Sequence, residues 1–214
     1  MATLKLLAGL PAIPAIVLLA VSCDARRTAV APTIGAPLAH FEQFECIPFK
    51  MTGGGRIDYP PGGPEKNPPA SHQYETFGAH VIASGRVGPD GRCEAEKGSL
   101  EWVDHRPQWR INGRPLNIHS TQITYADFAT DTDCTDGNAQ WGGIAVVKNT
   151  GEEVEFDVWD CDNGEPGAGN DGFGIRVYNS TFEYEVLCTD PFLPPAEPAC
   201  TLTGGNRQFH PTHE

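Results

Sequence analysis

The chain has 214 residues, with 28 acidic against 15 basic and a formal charge of -13. That balance argues against a nucleic-acid role, since such binding rests on clustered Lys and Arg. Gly 24 and Pro 19, with no sustained 3.6-residue apolar stripe, point to one domain of short strands and many turns.

The first segment is an export signal. Met1 to Lys5 carries one positive charge, Leu6 to Val21 is apolar, and Ala20-Val21-Ser22-Cys23 precedes the polar Asp24-Ala25-Arg26-Arg27. Pro11 and Pro14 interrupt the apolar run, which is short for a spanning helix. Small residues before Cys23 resemble the lipobox of bacterial lipoproteins, in which that Cys carries the lipid. The expected organisation is a signal peptide over 1–22, a lipidated Cys23 with a flexible tether over 23–40, and a folded domain over 41–214. The implied location is the bacterial cell envelope, outside the cytoplasm, with the membrane as partner through the anchor.

Strand signals begin after the tether. Met51 to Asp58 reads as a strand and Tyr59 to Ser71 as a Pro/Gly-rich loop. Tyr74 to Val87 is a strand that ends at the Gly88-Pro89-Asp90-Gly91 turn. Ser99 to Asp104 alternates, Asn112-Gly113 is a hairpin-type turn, and Leu116 to Phe128 is another long strand. Trp141 to Lys148 and Glu152 to Cys161 form a hairpin about Asn149-Thr150-Gly151. In its second strand Val154, Phe156 and Val158 alternate with Glu153, Glu155, Asp157 and Trp159, which places the acids on a solvated face. Phe173 to Phe182 follows a long acidic, Gly-rich loop. Phe182 to Leu187 extends it or starts a further strand, and Thr201 to His210 is the last. The fold class is all-β, an antiparallel β-sandwich of about eight strands with long loops stapled by disulfides.

Setting Cys23 aside as the lipid attachment leaves six cysteines without a C-x-x-C pair, which fits disulfides in an oxidising compartment. The hairpin brings Cys161 near Ala139, so Cys134 and Cys161 are expected to pair. Cys188 and Cys200 flank the Pro191 to Pro198 loop and would close it, leaving Cys46 with Cys93.

Calcium is the cofactor to consider. Asp160, Asp162, Asn163, Asn170 and Asp171 offer hard oxygen ligands on a flexible loop, and Asp131, Asp133, Asp136 and Asn138 form a second set. Neither has EF-hand spacing, and the same residues are ordinary turn formers. Seven histidines form no H-E-x-x-H, and there is no Gly-x-Ser-x-Gly elbow. Carboxylates meeting in a cleft, as in glycosidases, would be the remaining route to an enzyme. Trp159, beside acids, is a candidate platform for a sugar or peptide, although burial under a neighbouring loop competes with that role.

Several stretches occur in a recognisable order: Thr52-Gly53-Gly54-Gly55, Phe77-Gly78, Ser99 to His105, Ile118 to Thr124, Asp162 to Gly167 with Phe173-Gly174-Ile175, and Leu202 to Asn206. Together they resemble the post-choice-of-anchor domain of secreted bacterial proteins, over roughly Met51 to His210. The resemblance implies an all-β extracytoplasmic module and carries no catalytic residues. The Gly169-Asn170-Asp171 step makes this loop one residue longer than the family's, and Ile111 to Pro115 is inserted. The expected function is therefore a non-catalytic envelope lipoprotein whose β-module is structural or binds an envelope protein or glycan. A calcium-stabilised carbohydrate- or protein-binding module and a hydrolase are the alternatives.

Overall fold

The computed structural model describes residues 44–58, 73–129, 134, 136–187 and 200–212. The signal peptide, Cys23, the tether, the 59–72 loop, Asp131, Asp133, Cys188 and the 191–198 loop lie outside them. Among the described residues no helix is long and apolar enough to cross a membrane.

The strands are β1 (Phe44–Glu45), β2 (Pro48–Asp58), β3 (Tyr74–Val87), β4 (Cys93–Asp104), β5 (Leu116–Ala129) and β6 (Gly137–Val147). They continue with β7 (Glu152–Asp162), β8 (Gly172–Tyr178), β9 (Glu183–Val186), β10 (Cys200–Thr201) and β11 (Gly204–Pro211). One 3-10 turn, Pro107–Trp109, lies between β4 and β5. All pairings are antiparallel and belong to one sheet, ordered β10-β8-β7-β6-β5-β4-β3-β2-β11, with β1 on β5 and β9 on β8. The expected all-β antiparallel architecture is present. Its strands outnumber the expected eight because the last segment divides into β10 and β11 and short strands flank the main path.

The sheet curls on itself. Phe77 on β3 and Phe173 on β8 are far apart in strand order, yet their rings stack with centroids 3.8 Å apart. Trp102 on β4 lies 5.8 Å from the same Phe173 ring. The alternating inward residues of every long strand meet in this interior, among them Met51, Val81, Ile118, Trp141, Phe156 and Ile175. Burial of such side chains, about 1.5–3 kcal/mol each, is what favours the curl.

The β6–β7 hairpin turns at Asn149-Thr150-Gly151, where Gly151 adopts a φ of 76°. That left-handed conformation suits glycine. Asn149 ties the turn to β5: its side chain accepts from Asn117 N and donates to Pro115 O. Register places Cys161 opposite Asn138, one step from the expected Ala139. Two disulfides staple the body, Cys134–Cys161 and Cys46–Cys93, with Cα separations of 5.6 and 5.2 Å. Both are ordinary spans for the bond. Cys200 is also disulfide-bonded, to a residue outside those described.

The acidic strand face needs correction. Glu153 and Glu155 are exposed as expected, but Asp157 and Trp159 on the same side of β7 are only 3% and 5% exposed. Alternation places residues on a face and does not say what lies over that face. Here Tyr125 of β5 reaches across Gly142 of β6 and donates its hydroxyl hydrogen to Asp157. Gly142 leaves the space for it, since a Cβ there would sit 2.9 Å from the Tyr125 ring.

Candidate functional site

The acids of the β7–β8 loop form a seam with β11. Asp162 accepts from Gly164 N through Oδ1 (2.9 Å) and from Phe209 N through Oδ2 (2.7 Å). Asp171 accepts from Asn163 N (3.0 Å) and from Arg207 N (2.6 Å). Phe209 and Arg207 lie two apart on β11, an edge strand whose far side has no partner strand among the described residues. The two carboxylates stand in for that missing strand, satisfying backbone donors that would otherwise template aggregation. Asn170 and Asn163 close the loop on itself through Pro166 O and Asn170 O. Burial raises the Asp171 pKa, and its two backbone donors offset part of that rise.

Asp160 lies on the inner face. It pairs with Arg207, both side chains being 0% exposed, and also accepts from Trp141 Nε1 at 3.2 Å. The Arg207 guanidinium donates to Ala79 O at 2.8 Å and lies over the Phe77 and Phe173 rings. The five expected calcium ligands therefore divide. Asp162, Asn163, Asn170 and Asp171 tie the loop and β11 together, and Asp160 serves a buried guanidinium. Among the described residues no group of three or more His, Cys, Asp or Glu is placed to hold a metal ion. Trp159, nearly buried, offers no open face for stacking.

Two further polar networks are built into the body. In one, the Arg92 guanidinium stacks on the Tyr125 ring, 3.2 Å from its centroid, and pairs with Asp127 at 2.6 Å. Tyr125 in turn reaches Asp157, whose pKa is raised by burial, against the opposing pull of Tyr125 and Arg92. In the other, Arg106 Nη2 lies 2.7 Å from both Asp104 and Glu75. Tyr184 donates to Asp104 and accepts from Trp102 Nε1. Asp104 and Glu75 are a carboxylate pair of the kind hydrolysis uses, but both are 0% exposed and share one arginine inside the core.

Among the described residues, two features stand open on the outer face. A cleft of about 610 Å³ lies beside the β3–β4 turn, lined by Arg86, Asp90, Arg92, Glu94, Gln122 and Thr124 among others. Its charges are largely matched internally, Arg86 with Glu94 at 2.9 Å and Arg92 with Asp127. The second feature spans β11, β2, β3 and β4. One cross-strand row reads His210, Lys50, Ile82, Lys97, and the next reads Gln208, Thr52, His80, Ser99. Ser99 Oγ lies 2.9 Å from His80 Nδ1. Burial lowers the His80 pKa first, and Lys50, Lys97 and Arg207 lower it further. This cluster is not legible in the sequence, because its members lie on four strands and only the register assembles them.

No protein-family model, curated protein or solved structure matches the chain.

Proposed function

We propose that the chain is a non-catalytic lipoprotein of the bacterial cell envelope, whose disulfide-stapled β-body has a structural or binding role. The observation that carries this reading is the seam: Asp160, Asp162 and Asp171, the residues with the strongest chemical signal in the sequence, are engaged in holding β7, β8 and β11 together. The carboxylate pair Asp104 and Glu75 is likewise buried on an arginine. Two observed disulfides support an oxidising compartment outside the cytoplasm. The small residues before Cys23, followed by a polar segment, support lipid attachment there. The ordered motifs from Thr52 to Asn206 support kinship with the post-choice-of-anchor domain.

The test is acyl labelling with membrane fractionation. The unaltered chain is expected to incorporate labelled fatty acid and partition with membranes. Cys23→Ser should lose the label and move to the soluble fraction. Retention of the same label by Cys23→Ser would overturn the anchor.

A further inference from the structure

We infer that the outer face of β2, β3 and β4 is an anion-binding site, in which Lys50 and Lys97 border His80 and Ser99 to receive a phosphoryl group beside a glycine shelf. The proposal goes beyond the envelope-lipoprotein reading and does not depend on the anchor.

The charge distribution is the first observation. In a chain with nearly twice as many acids as bases, Lys50 and Lys97 are exposed and form no ion pair among the described residues. They lie in one cross-strand row, separated only by Ile82 of β3, so their Cα atoms are about 10 Å apart. Both ammonium groups act on the same imidazole, that of His80. His210 extends the row on β11, and Thr52 and Ser99 add hydroxyls beside His80. Ammonium groups and hydroxyl donors on neighbouring positions of one face are what a tetrahedral oxyanion needs. The charges facing the cluster are Glu101, which pairs directly with Gly78 and stands opposite His119, and Glu165, which accepts from Asn206 and Gln208. By contrast, the arginines of the open cleft already have carboxylate partners.

The glycines are the second, independent observation. The row next to His80 reads Asn206, Gly54, Gly78, Glu101. Gly54 is required by the fold, because a Cβ there would meet the Phe77 carbonyl at 2.6 Å. Gly78 is not. It is exposed, has no positive φ, and a Cβ would meet no described heavy atom within 4 Å. Glycine in the middle of a strand costs stability relative to alanine. Such a glycine marks a bulge, a tight bend or a close approach by another group, and the register runs through Gly78 to both neighbours without a shift, which favours the close approach. The Gly54–Gly78 row borders the His80–Ser99 row on the side away from Lys50 and Lys97, so a group bound over His80 would have the lysines on one side and open backbone on the other.

The experiment is an NMR titration of the purified full chain with inorganic phosphate and pyrophosphate at fixed ionic strength, chloride serving as the control anion. Flotation of the Cys23→Ser chain, which lacks the proposed anchor, with phosphatidylglycerol and with phosphatidylcholine vesicles runs alongside. The expected result is a saturable shift of the His80 ring and Gly78 amide signals with phosphate or pyrophosphate. Lys50→Gln/Lys97→Gln should weaken it by about tenfold or more, since each lost contact is charge-assisted. Gly78→Val should keep or raise the melting temperature and still lose the His80 shift, which separates a binding role from a folding one. A preference for the anionic vesicles that the lysine variant abolishes would assign the phosphoryl group to a lipid headgroup. Equal flotation with both vesicles, alongside an intact phosphate response, would assign it to a soluble ligand. Absence of any His80 or Gly78 response to phosphate and pyrophosphate, or a response unchanged in the lysine variant, overturns the proposal.

Discussion

The seam beneath the β7–β8 loop and the shelf on β2 to β4 are both polar, but their groups are used differently. At the seam Asp160, Asp162 and Asp171 each accept two or more hydrogen bonds from other parts of the chain. Near the shelf the two lysines form no ion pair among the described residues, and a glycine occupies a position where a Cβ would meet no described atom within 4 Å. Polar residues that close a structure and polar residues held ready for a partner cannot be told apart by residue type. They separate once each donor and acceptor is traced to its partner.

The largest effect is expected at the seam. Asp160→Ala would leave the Arg207 guanidinium buried without its partner, at a cost of about 3–5 kcal/mol. Urea denaturation should show this as a large fall in midpoint. Replacing both partners, as Asp160→Leu with Arg207→Met, should recover most of the loss, because an apolar pair carries no desolvation penalty. A double variant as unstable as Asp160→Ala would mean that the seam depends on the Ala79 and Trp141 contacts more than on the ion pair.

Next in size is Gly142→Ala. The added methyl group meets the Phe156 carbonyl and displaces Tyr125 from its path to Asp157. Overpacking of this kind costs about 1–3 kcal/mol. Thermal unfolding would measure it, and a neutral result would show that Tyr125 has another rotamer available without loss.

These two cases also show what could be read from sequence. The hairpin about Asn149-Thr150-Gly151 was legible because turn chemistry and alternation are local, and it carried the Cys134–Cys161 bridge with it. The burial of Asp157 was not, because it depends on Tyr125, two strands away. The role of the loop acids was hidden for a similar reason. Their spacing resembles a ligand set, but their partners are backbone groups of β11, about forty residues further on, which only the curl of the sheet brings across.

A smaller effect is expected at Asp157. Its folded pKa is raised above the ordinary 3.8, mainly by burial. A raised carboxyl favours the folded state when protonated. This contribution is fully present below the unfolded pKa and is lost as pH rises through the folded value. Asp157→Asn keeps an oxygen to accept from Tyr125 and has no proton to lose. Stability measured by urea denaturation across the acid range should therefore fall less steeply with rising pH in the variant. Identical pH profiles would place the ionised carboxylate in a better-solvated site than its burial indicates.

The smallest effect returns to the shelf and has the opposite sign. Gly78→Ala adds a methyl group into open space on an extended strand. It removes backbone freedom from the unfolded chain without a clash in the folded one, so stability should rise by about 0.5–1 kcal/mol. The sign separates two explanations of the residue. If Gly78 serves the fold, as Gly142 does, the substitution must destabilise. If it serves a partner that lies against the backbone, the substitution stabilises the free protein and weakens only the complex. Calorimetric melting of Gly78→Ala beside Gly142→Ala compares the two glycines under one set of conditions, and a lower melting temperature for both would assign Gly78 to the fold.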